Sequence, residues 1–315
     1  MILATLHDGT PDGRLVAVSP DRQRYAVAPV PSLREALERW ADAAPSLAAI
    51  EAFPESIDGA RLAAPLPRTW QWLDGSVYPT HAELMQIAFG LDPIDSDRPL
   101  MYQGLSDRFH GPTDDVPLPG EEHGIDFEGE FAVITDRVPM GTGAAEALNH
   151  IKLIVQVNDW SLRTIAPIEM KTGFGWVQAK PACSMAPFAV TPEELGPAWH
   201  DGRVAIDLHV AWNGRPFGHA NGAPMQFGFH ELVAHAAFSR DLVAGTVIGS
   251  GTVSNPNYAE VGSSCISEVR AIEMIAGGRP ETAYMAFGDR VRMEALASDG
   301  SAPFGAIDQV VVPCT

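Results

Sequence analysis

The first thirty residues alternate between apolar and polar positions in three short runs. These runs cover residues 2–6, 15–18 and 25–27, and the turn-rich segments HDGTPDG and SPDRQ separate them. Alternation bounded by Gly, Pro and Asp is typical of half-buried strands that are joined by tight turns. The pattern therefore predicts an N-terminal β-meander.

A helix is predicted directly after the meander. Ser32 and Glu35 have the spacing of a capping box, and apolar residues follow them at helical spacing. The next segment, residues 57–70, is rich in Gly and Pro, which favours a domain junction. We therefore predict a small N-terminal α+β domain over residues 1–66 and a main domain over residues 67–315.

The main domain is predicted to be rich in strands. A second capping box, Thr80 with Glu83, predicts a helix that ends at Gly90. Further strands are predicted over residues 127–135, 151–157, 205–212, 246–250, 269–275 and 291–295, and further helices over residues 144–150 and 229–238. The chain has neither a regular βαβ rhythm nor an internal repeat. We expect an α+β fold that is mainly β, with mixed and mostly antiparallel sheets.

Composition and charge narrow the range of partners. The chain of 315 residues is 46% hydrophobic, and 21 Lys and Arg stand against 40 Asp and Glu, which gives a net charge of −19 at pH 7. So acidic a protein repels phosphate backbones and anionic lipid headgroups. We therefore expect neither a nucleic acid nor a membrane as a partner.

The N-terminus and the cysteines indicate a cytoplasmic protein. The sequence MILATLHDGT has no basic start followed by a long apolar run, and no stretch approaches the ~20 apolar residues of a membrane span. Cys183, Cys265 and Cys314 are odd in number and widely spaced, so they form neither a disulfide framework nor a CxxC site. This cysteine usage suits a reducing compartment.

The string GIDFEGEFAVITD, residues 124–136, carries two candidate metal ligands. Glu128 and Glu130 are two apart in a predicted strand, so their side chains leave the same face. Two such carboxylates repel each other unless a cation lies between them, and Mg²⁺ or Ca²⁺ takes oxygen ligands. The alternative is a solvent-exposed polar face on an edge strand.

A third oxygen ligand is predicted at the end of the next strand. The apolar run over residues 154–157 leads directly into Asp159, and Arg163 follows four residues later. Asp159 could complete a cation site, or it could cap a short helix. Arg163 could bind a substrate carboxylate through two parallel hydrogen bonds.

Lys180 is a candidate for stabilising negative charge. It is one of only three lysines, with Lys152 and Lys171, in a chain that has 18 arginines. Because Pro181 follows it, Lys180 lies on extended backbone and could direct its ammonium at charge that develops in a reaction. The alternative is a solvated surface lysine.

Several motifs together resemble the fumarylacetoacetate hydrolase family. The motifs are GIDFEGEFAVI, VNDWSLR, AKPACSMAPF, FGFHELVAH, GSGTVSNP and GDRVRME, and they occur in the family's order and spacing from about residue 65 to the C-terminus. The stretch LATLHDGTPDGRLVAVSPD resembles the short N-terminal domain of bacterial fumarylacetoacetases. The resemblance implies a roll of mixed β-sheets with a small N-terminal domain, and a homodimer.

The resemblance also assigns roles to individual residues. It implies one divalent cation, with Mg²⁺ expected and Ca²⁺ or Mn²⁺ as alternatives. The implied metal ligands are Glu128, Glu130 and Asp159, the implied substrate and oxyanion contacts are Arg163, Lys180, Thr252 and Tyr102, and Glu268 orients a water-activating His.

Two departures from the family pattern affect these roles. Longer family members have an Asp ligand seven residues before the catalytic His, and the best match here, QGLSDRFH, places Gln103 at the Asp and His110 at the His. A Gln carbonyl can coordinate Mg²⁺ or Ca²⁺ but brings no charge. His123 is the alternative base. The second departure is Ala166, which replaces a Gln that contacts substrate.

The expected activity follows from the resemblance. It is metal-dependent hydrolysis of a carbon–carbon bond in a small anionic 1,3-diketo acid, first of all conversion of 4-fumarylacetoacetate to fumarate and acetoacetate in tyrosine or homogentisate breakdown. Alternatives within the family are acylpyruvate or fumarylpyruvate hydrolysis, 2-oxo acid decarboxylation, isomerisation and hydration. A different class of function, an inactive metal-stabilised binding protein, is suggested by Gln103 and Ala166.

Overall fold

The computed structural model describes residues 1–90, 92 and 97–314. The strands are β1 Ile2–Leu6, β2 Arg14–Val18, β3 Arg24–Val27, β4 Glu55–Ser56, β5 Trp72–Gly75, β6 Met101–Gly104, β7 Val116–Leu118, β8 Ile125–Asp126, β9 Gly129–Thr135, β10 Ile151–Asn158, β11 Ser161–Leu162, β12 Ser184–Met185, β13 Ala189–Val190, β14 Trp199–His200, β15 Arg203–Val204, β16 Asp207–Trp212, β17 Arg215–Asn221, β18 Val247–Gly249, β19 Arg290–Leu296 and β20 Ala306–Pro313. The α-helices are α1 Leu33–Glu38, α2 Trp40–Ala48, α3 Pro79–Phe89, α4 Ala144–Ala147, α5 Ala166–Thr172, α6 Pro192–Leu195, α7 Phe229–Ala236, α8 Tyr258–Val261 and α9 Ile266–Gly277.

Two sheets form the framework. The larger has the strand order β4-β3-β2-β1-β13-β10-β9-β18-β5-β6, with β12 also paired to β10, and the smaller has the order β17-β16-β19-β20-β7. Most neighbours are antiparallel, but β18 runs parallel to β5 and β20 runs parallel to β7. The predicted class, an α+β fold that is mainly β with mixed sheets, is confirmed.

The N-terminal meander belongs to the larger sheet. Strand β1 pairs with β2 on one side and with β13 on the other, where Ile2 lies opposite Val190. Val190 in turn lies opposite Ile154 of β10. The first strands therefore extend the sheet that carries the strands of the main domain. The predicted domain boundary between residues 66 and 67 stays a prediction.

One predicted strand is wrong. Residues 269–275 alternate like a strand, but they lie inside helix α9. The side chain of Cys265 accepts a hydrogen bond from the Glu268 amide, and the Asp126 carboxylate accepts hydrogen bonds from Ile266 N at 2.8 Å and Ser267 N at 2.9 Å. These acceptors satisfy amides that an isolated helix start leaves unpaired, so the helix is favoured over a strand.

Of the two predicted helix starts, the one at Ser32 is confirmed and the one at Thr80 differs from the structure. Ser32 caps α1 by accepting from the Glu35 amide, as predicted. Helix α3 starts one residue before Thr80, at Pro79, after Tyr78, which makes no side-chain cap bond. Helix α3 ends as predicted, with Gly90 in the left-handed region at φ 59°. Within the described ranges, no helix is both long enough and apolar enough to cross a bilayer.

Candidate active site and metal centre

Three buried carboxylates meet at the ends of adjacent strands of the larger sheet. Asp74 lies in β5, Glu130 lies in β9, and Asp159 directly follows β10. Strands β10, β9, β18 and β5 are neighbours in this order, and Glu130 lies opposite Val157. One oxygen of each carboxylate lies within 4.8 Å of the others. The strand order therefore brings together an oxygen-only group, which we call the acidic cluster.

Glu130 is the least compensated member of the acidic cluster. Both of its carboxylate oxygens are buried, and neither has a hydrogen-bond partner in the part of the chain that the structure describes. Burial, together with the charges of Asp74 and Asp159, raises the pKa of Glu130 well above its usual value. The pKa of Asp74 is raised in the same direction by burial and by Asp159.

Asp159 is held by donors on several sides. Its Oδ2 accepts hydrogen bonds from the Tyr102 hydroxyl at 2.6 Å and from Lys180 Nζ at 2.6 Å. Its Oδ1 accepts from the Cys183 thiol at 2.8 Å. Lys180 Nζ also lies 5.6 Å from the centre of the Tyr102 ring. The alternative role of Asp159 as a helix cap does not hold, because its carboxylate is directed into this buried network.

Glu128, unlike Glu130, lies next to two positively charged side chains. Its Oε2 lies 2.7 Å from Lys180 Nζ, and its Oε1 lies 2.6 Å from a guanidinium nitrogen of Arg163. Burial alone would raise the pKa of Glu128, but Lys180 and Arg163 hold it well below its usual range. Glu128 thus belongs to an ion-pair cluster with Lys180 and Arg163, and its role as a metal ligand stays a prediction.

Arg163 is linked through Asp126 to the start of helix α9, which carries Glu268. Its Nε donates to Asp126 Oδ2 at 2.8 Å, and Asp126 also accepts the first amides of α9. The side chain of Asp126 is fully buried, that of Arg163 is 15% exposed, and burial raises the pKa of Asp126. Only a small part of the Arg163 side chain is therefore exposed, and its Nη2 atom is buried beside Glu128.

The acidic cluster fits a hard divalent cation. Its donors are carboxylate oxygens, and the two oxygens of Glu130 are buried without a hydrogen bond to any described residue. Mg²⁺, Mn²⁺ and Ca²⁺ favour oxygen ligands, and bound charge would relieve the repulsion among these carboxylates. The residues present therefore match the kind of ion that the family resemblance implies.

A second group, in which His81 is half-buried and Cys265 and Glu268 are buried, lies where helices α3 and α9 pack against each other. His81 is in the first turn of α3, Cys265 precedes α9 and Glu268 is in its first turn. One ligand atom of each lies within 4.8 Å of the others. The Ser254 hydroxyl donates to Glu268 Oε1, while Glu268 Oε2 and His81 Nδ1 are buried without a hydrogen-bond partner in the described ranges.

The structure does not group the predicted base, His110, with Glu268. His110 is buried, its amide donates to the Cys183 carbonyl at 2.8 Å, and burial lowers its pKa to about 4. The carboxylate of Glu268 is grouped with His81 instead. Within the described ranges His110 makes no hydrogen bond with Glu268, so the structure does not show the predicted pair, and the role of His110 as the base stays a prediction.

Gln103 is also misplaced by the sequence alignment. Strand alternation directs Tyr102 towards Asp159 and Gln103 to the opposite face, where Gln103 is exposed and its Oε1 accepts from Arg240 at 3.3 Å. The carboxylate that joins Glu130 and Asp159 is Asp74, which lies in the neighbouring strand β5. Gln103 therefore does not belong to the acidic cluster.

The sequence contains a signal for Asp74 and His81, which the sequence interpretation does not include. Asp74 and His81 are seven residues apart in WLDGSVYPTH, which is the family spacing that was assigned to QGLSDRFH. Asp74 also follows the apolar pair Trp72-Leu73, as expected for a ligand at a buried strand. The segment QGLSDRFH matches the motif in its Ser, Arg and His, which is why the alignment selects it.

The remaining predicted residues have separate positions. His123 lies in a short 3₁₀ turn before β8, 3.4 Å from Glu122, and is partly exposed. Thr252 is buried and follows Gly251, whose amide donates to Asp74 Oδ1 at 3.1 Å. Ala166 begins α5, in the segment that joins Arg163 to Lys180.

Two curated proteins match parts of the chain. The 2,4-didehydro-3-deoxy-L-rhamnonate hydrolase of Sphingomonas sp. strain SKA58 is 28% identical over 163 residues, which cover 51% of this chain and 54% of that protein. The fumarylacetoacetase of Caenorhabditis elegans is 25% identical over 226 residues, which cover 62% of this chain and 53% of that protein. The chain thus spans about half the length of these two relatives.

Two crystal structures share the fold over the whole length of both chains. One is maleylpyruvate hydrolase from Sphingobium sp. SYK-6 in complex with manganese(II) and pyruvate, with a TM-score of 0.68, 17% identity and 100% coverage of each chain. The other is 5-carboxymethyl-2-hydroxymuconate delta-isomerase from Mycobacterium smegmatis, with a TM-score of 0.65, 19% identity and 100% coverage of each chain. A divalent metal is therefore bound in a protein of this fold.

Two family models together match almost the whole chain. The model described as fumarylacetoacetate hydrolase C-terminal matches residues 71–312, and the model described as fumarylacetoacetase N-terminal domain 2 matches residues 1–68. The first covers the acidic cluster, the ion-pair cluster and the group around His81. The chain therefore belongs to the fumarylacetoacetate hydrolase family.

Proposed function

We propose that the protein is a metal-dependent hydrolase that cleaves a carbon–carbon bond in a 1,3-diketo acid. The first substrate to test is 4-fumarylacetoacetate, which this reaction converts to fumarate and acetoacetate. The observation that carries the proposal is the grouping of half-buried His81 with buried Glu268, together with an oxygen-only cluster of three carboxylates. Cys265 of the first group pairs with Glu128, and Lys180 joins Glu128 to Asp159 of the second. Hydrolysis at a metal-polarised carbonyl needs both a base and a cation site.

His81 is the proposed general base. It removes a proton from water, and the carboxylate of Glu268 orients the imidazole and stabilises its positive charge. The Ser254 hydroxyl holds Glu268 Oε1, which leaves Oε2 for the imidazole. The hydroxide adds to the substrate carbonyl carbon, the carbon–carbon bond breaks, and its electron pair leaves as an enolate that takes the proton back from His81.

Asp74, Glu130 and Asp159 are the proposed ligands of one divalent cation. Mg²⁺ is the expected ion, with Mn²⁺ or Ca²⁺ as alternatives. When bound, the cation supplies Lewis-acid polarisation of the substrate carbonyl. The support in this chain is the pair of unpartnered Glu130 oxygens, and outside it the manganese in the maleylpyruvate hydrolase structure.

Lys180 and Arg163 are the proposed cationic contacts of the substrate. Lys180 Nζ donates to Asp159 and Glu128, so its ammonium is fixed at the boundary of the acidic and ion-pair clusters, where it stabilises the enolate. Arg163 holds a terminal carboxylate of the substrate. Tyr102 and Thr252 line the same region and are proposed to position the diketo acid.

Isomerisation is the second candidate, because an isomerase structure shares the fold over its whole length. An isomerase moves a proton between atoms of its substrate and consumes no water. The two reactions therefore differ in their products: hydrolysis yields two smaller acids, whereas isomerisation leaves the substrate's mass unchanged.

The decisive experiment is an assay of purified protein with a panel of 1,3-diketo acids and 2-oxo acids in Mg²⁺, Mn²⁺ or Ca²⁺. Ultraviolet absorbance follows loss of the conjugated diketone, and mass spectrometry identifies the products. We expect two acids from a 1,3-diketo acid and no turnover after exhaustive chelation. A product of unchanged mass would replace hydrolysis by isomerisation, and full turnover by a protein shown to be metal-free would refute the metal-dependent mechanism.

We also propose that the protein works as a cytoplasmic homodimer. The support is the family resemblance for the dimer and the reduced cysteines for the compartment, since Cys183, Cys265 and Cys314 are all free. Light scattering at micromolar concentration tests the assembly, and a monomeric mass in an active preparation would contradict it.

A further inference from the structure

We propose that His81, Cys265 and Glu268 form a second metal site, distinct from the acidic cluster, that binds a thiophilic divalent cation such as Zn²⁺ or Cd²⁺ and thereby inhibits the enzyme. The inhibitory consequence rests on the proposed function, because it depends on His81 being the base. The binding of the cation does not depend on it.

The three side chains are already placed as ligands. A nitrogen of His81, the sulfur of Cys265 and an oxygen of Glu268 lie within 4.8 Å of one another. Around a tetrahedral Zn²⁺, ligand atoms at about 2.0–2.3 Å from the ion lie roughly 3.3–3.8 Å apart. The site therefore closes around an ion through side-chain shifts of about 1 Å.

Two polar atoms of this site have no hydrogen-bond partner among the described residues, so binding a metal breaks no such bond. His81 Nδ1 and Glu268 Oε2 are buried, and neither makes a hydrogen bond in the described part of the chain. Glu268 is fully buried. Buried polar atoms are normally paired, so an unpaired nitrogen and an unpaired oxygen beside one thiol indicate a ligand that satisfies them.

The backbone fixes the direction of the Cys265 side chain. Cys265 is the N-cap of α9 with φ −149° and ψ 157°, and its sulfur accepts a hydrogen bond from the Glu268 amide at 3.3 Å. Its backbone also bridges to Glu128. These contacts hold the sulfur at the start of α9, next to the side chain of Glu268 from the first turn.

The donor set differs in kind from that of the acidic cluster. Three carboxylates select a hard cation such as Mg²⁺, whereas a thiolate and an imidazole select Zn²⁺ or Cd²⁺. One thiolate and one carboxylate carry two negative charges, which balance a divalent ion. Coordination requires the Cys265 thiol to lose its proton, so binding releases one proton to solvent.

Inhibition follows from the use of His81. A nitrogen lone pair that coordinates a metal, or an imidazole ring that is turned by one, no longer accepts a proton from water. Glu268 is occupied at the same time and no longer orients the ring. We therefore expect Zn²⁺ to inhibit enzyme that is saturated with Mg²⁺, without displacing the Mg²⁺.

The first test measures Zn²⁺ inhibition in saturating Mg²⁺ for the wild type, Cys265→Ser and Cys314→Ser. Serine preserves the cap of α9 and removes the soft ligand, so Cys265→Ser is expected to keep kcat within about twofold. Its half-inhibitory Zn²⁺ concentration should rise at least about tenfold. The matched control Cys314→Ser changes an exposed cysteine and should leave inhibition unchanged. Equal inhibition of Cys265→Ser and wild type would overturn the proposal, because Zn²⁺ would then act elsewhere.

The second test needs no turnover. Co²⁺ is added to Mg²⁺-saturated protein, and the thiolate-to-cobalt charge-transfer band in the near ultraviolet is recorded. The band should appear in the wild type and in Cys314→Ser and be lost in Cys265→Ser. A band without diketo-acid cleavage would uphold the metal site and refute the proposed function. Cleavage with neither a band nor Zn²⁺ inhibition would refute the metal site alone.

Discussion

Glu128 and Glu130 are two residues apart, yet the fold gives them opposite surroundings. Glu128 has Lys180 and Arg163 within 2.7 Å, and its pKa is held low. Among the described residues, neither oxygen of Glu130 has a hydrogen-bond partner, although Asp74 and Asp159 lie beside it, and burial raises its pKa. The protein therefore supplies the countercharge for Glu128, whereas Glu130 depends on a proton or a bound cation for its own.

The side of the site around Glu130 and the side around Glu128 therefore obtain their positive charge from different sources. A cation that binds Glu130, Asp74 and Asp159 provides charge that the chain lacks there. The cations around Glu128 are part of the fold and are kept in place whether or not a metal binds. Substitutions on the two sides should accordingly differ in their effects on metal affinity, on rate and on stability.

The largest effect is expected for Glu130→Gln, which should remove metal binding and with it all measurable turnover. Because the substitution also removes a buried, uncompensated charge, the melting temperature in EDTA should equal or exceed that of the wild type. Calorimetric titration with Mg²⁺ and thermal melts with and without EDTA measure both effects. In saturating Mg²⁺ the order should reverse, because only the wild type gains stability from the ion.

Glu128→Gln is the matched variant on the other side of the comparison. It leaves Lys180 and Arg163 with fewer partners in a buried site, so the free energy of unfolding in EDTA should fall by about 1–3 kcal/mol. If Glu128→Gln and Glu130→Gln changed this free energy with the same sign and size, the contrast between the two carboxylates would be refuted.

The next effect concerns the base. His81→Ala and Glu268→Gln should each lower kcat by about 10²–10⁴-fold, because each removes general-base catalysis. The double variant should be little worse than either single one, since the two residues act as a unit. Steady-state kinetics at saturating metal measures this, and His110→Ala, at a buried His outside the pair, is the control. A large loss of kcat in His110→Ala with normal kcat in His81→Ala would return the role to His110.

Sequence patterns predict the strands that carry this site better than they predict the order of those strands in the sheet. Glu130 and Asp159 were found because each belongs to or follows a strongly apolar strand, and their meeting follows from the pairing of consecutive antiparallel strands. Asp74 comes from β5, which pairs in parallel with β18, a strand that is distant from it in the sequence. Only the strand order reveals that Asp74 joins them.

Two differences between the sequence interpretation and the structure have local causes. Residues 269–275 of helix α9 are predicted as a strand because apolar and polar residues partly alternate there, and the start of the helix depends on Asp126, which is 140 residues away from Ile266. The sequence interpretation takes His110 as the base, with His123 as the alternative, because the loop segment QGLSDRFH resembles the motif, and it does not include His81. In both cases the deciding contacts are tertiary, and a local pattern cannot contain them.

A smaller effect is expected at Lys180. Lys180→Met should lower kcat by about 10²–10³-fold, in line with the ~2.7–4 kcal/mol lost when one oxyanion donor is removed, and should change KM much less. Lys180→Arg should rescue poorly, because a planar guanidinium cannot replace a compact ammonium between Glu128 and Asp159. Arg163→Met should act mainly on KM. Wild-type kcat in a folded Lys180→Met protein would remove Lys180 from the proposed mechanism.

The smallest effect is the pH dependence of stability in the metal-free protein. The folded-state pKa of Glu130 lies above the ordinary value of 4.5. The folded protein therefore keeps a proton that the unfolded chain loses, and the stability from that proton is complete below pH 4.5 and is lost as the pH rises through the folded-state pKa. For Glu128, whose pKa is lowered, the sign is opposite, and stability is lost as the pH falls below 4.5.

Urea unfolding in EDTA between pH 4.5 and pH 8 measures this difference. Relative to Glu130→Gln, the wild type should lose stability with rising pH by no more than about 1.4 kcal/mol per pH unit, the limit for one proton. Relative to Glu128→Gln, the wild type should show no such loss, because folded Glu128 is ionised over the whole range and the unfolded chain only completes its ionisation just above pH 4.5, which adds stability. Saturating Mg²⁺ should abolish the first difference, since a bound cation keeps Glu130 ionised. A wild-type curve parallel to that of Glu130→Gln in EDTA would show that Glu130 holds no extra proton, and the contrast with Glu128 would then lie in geometry alone.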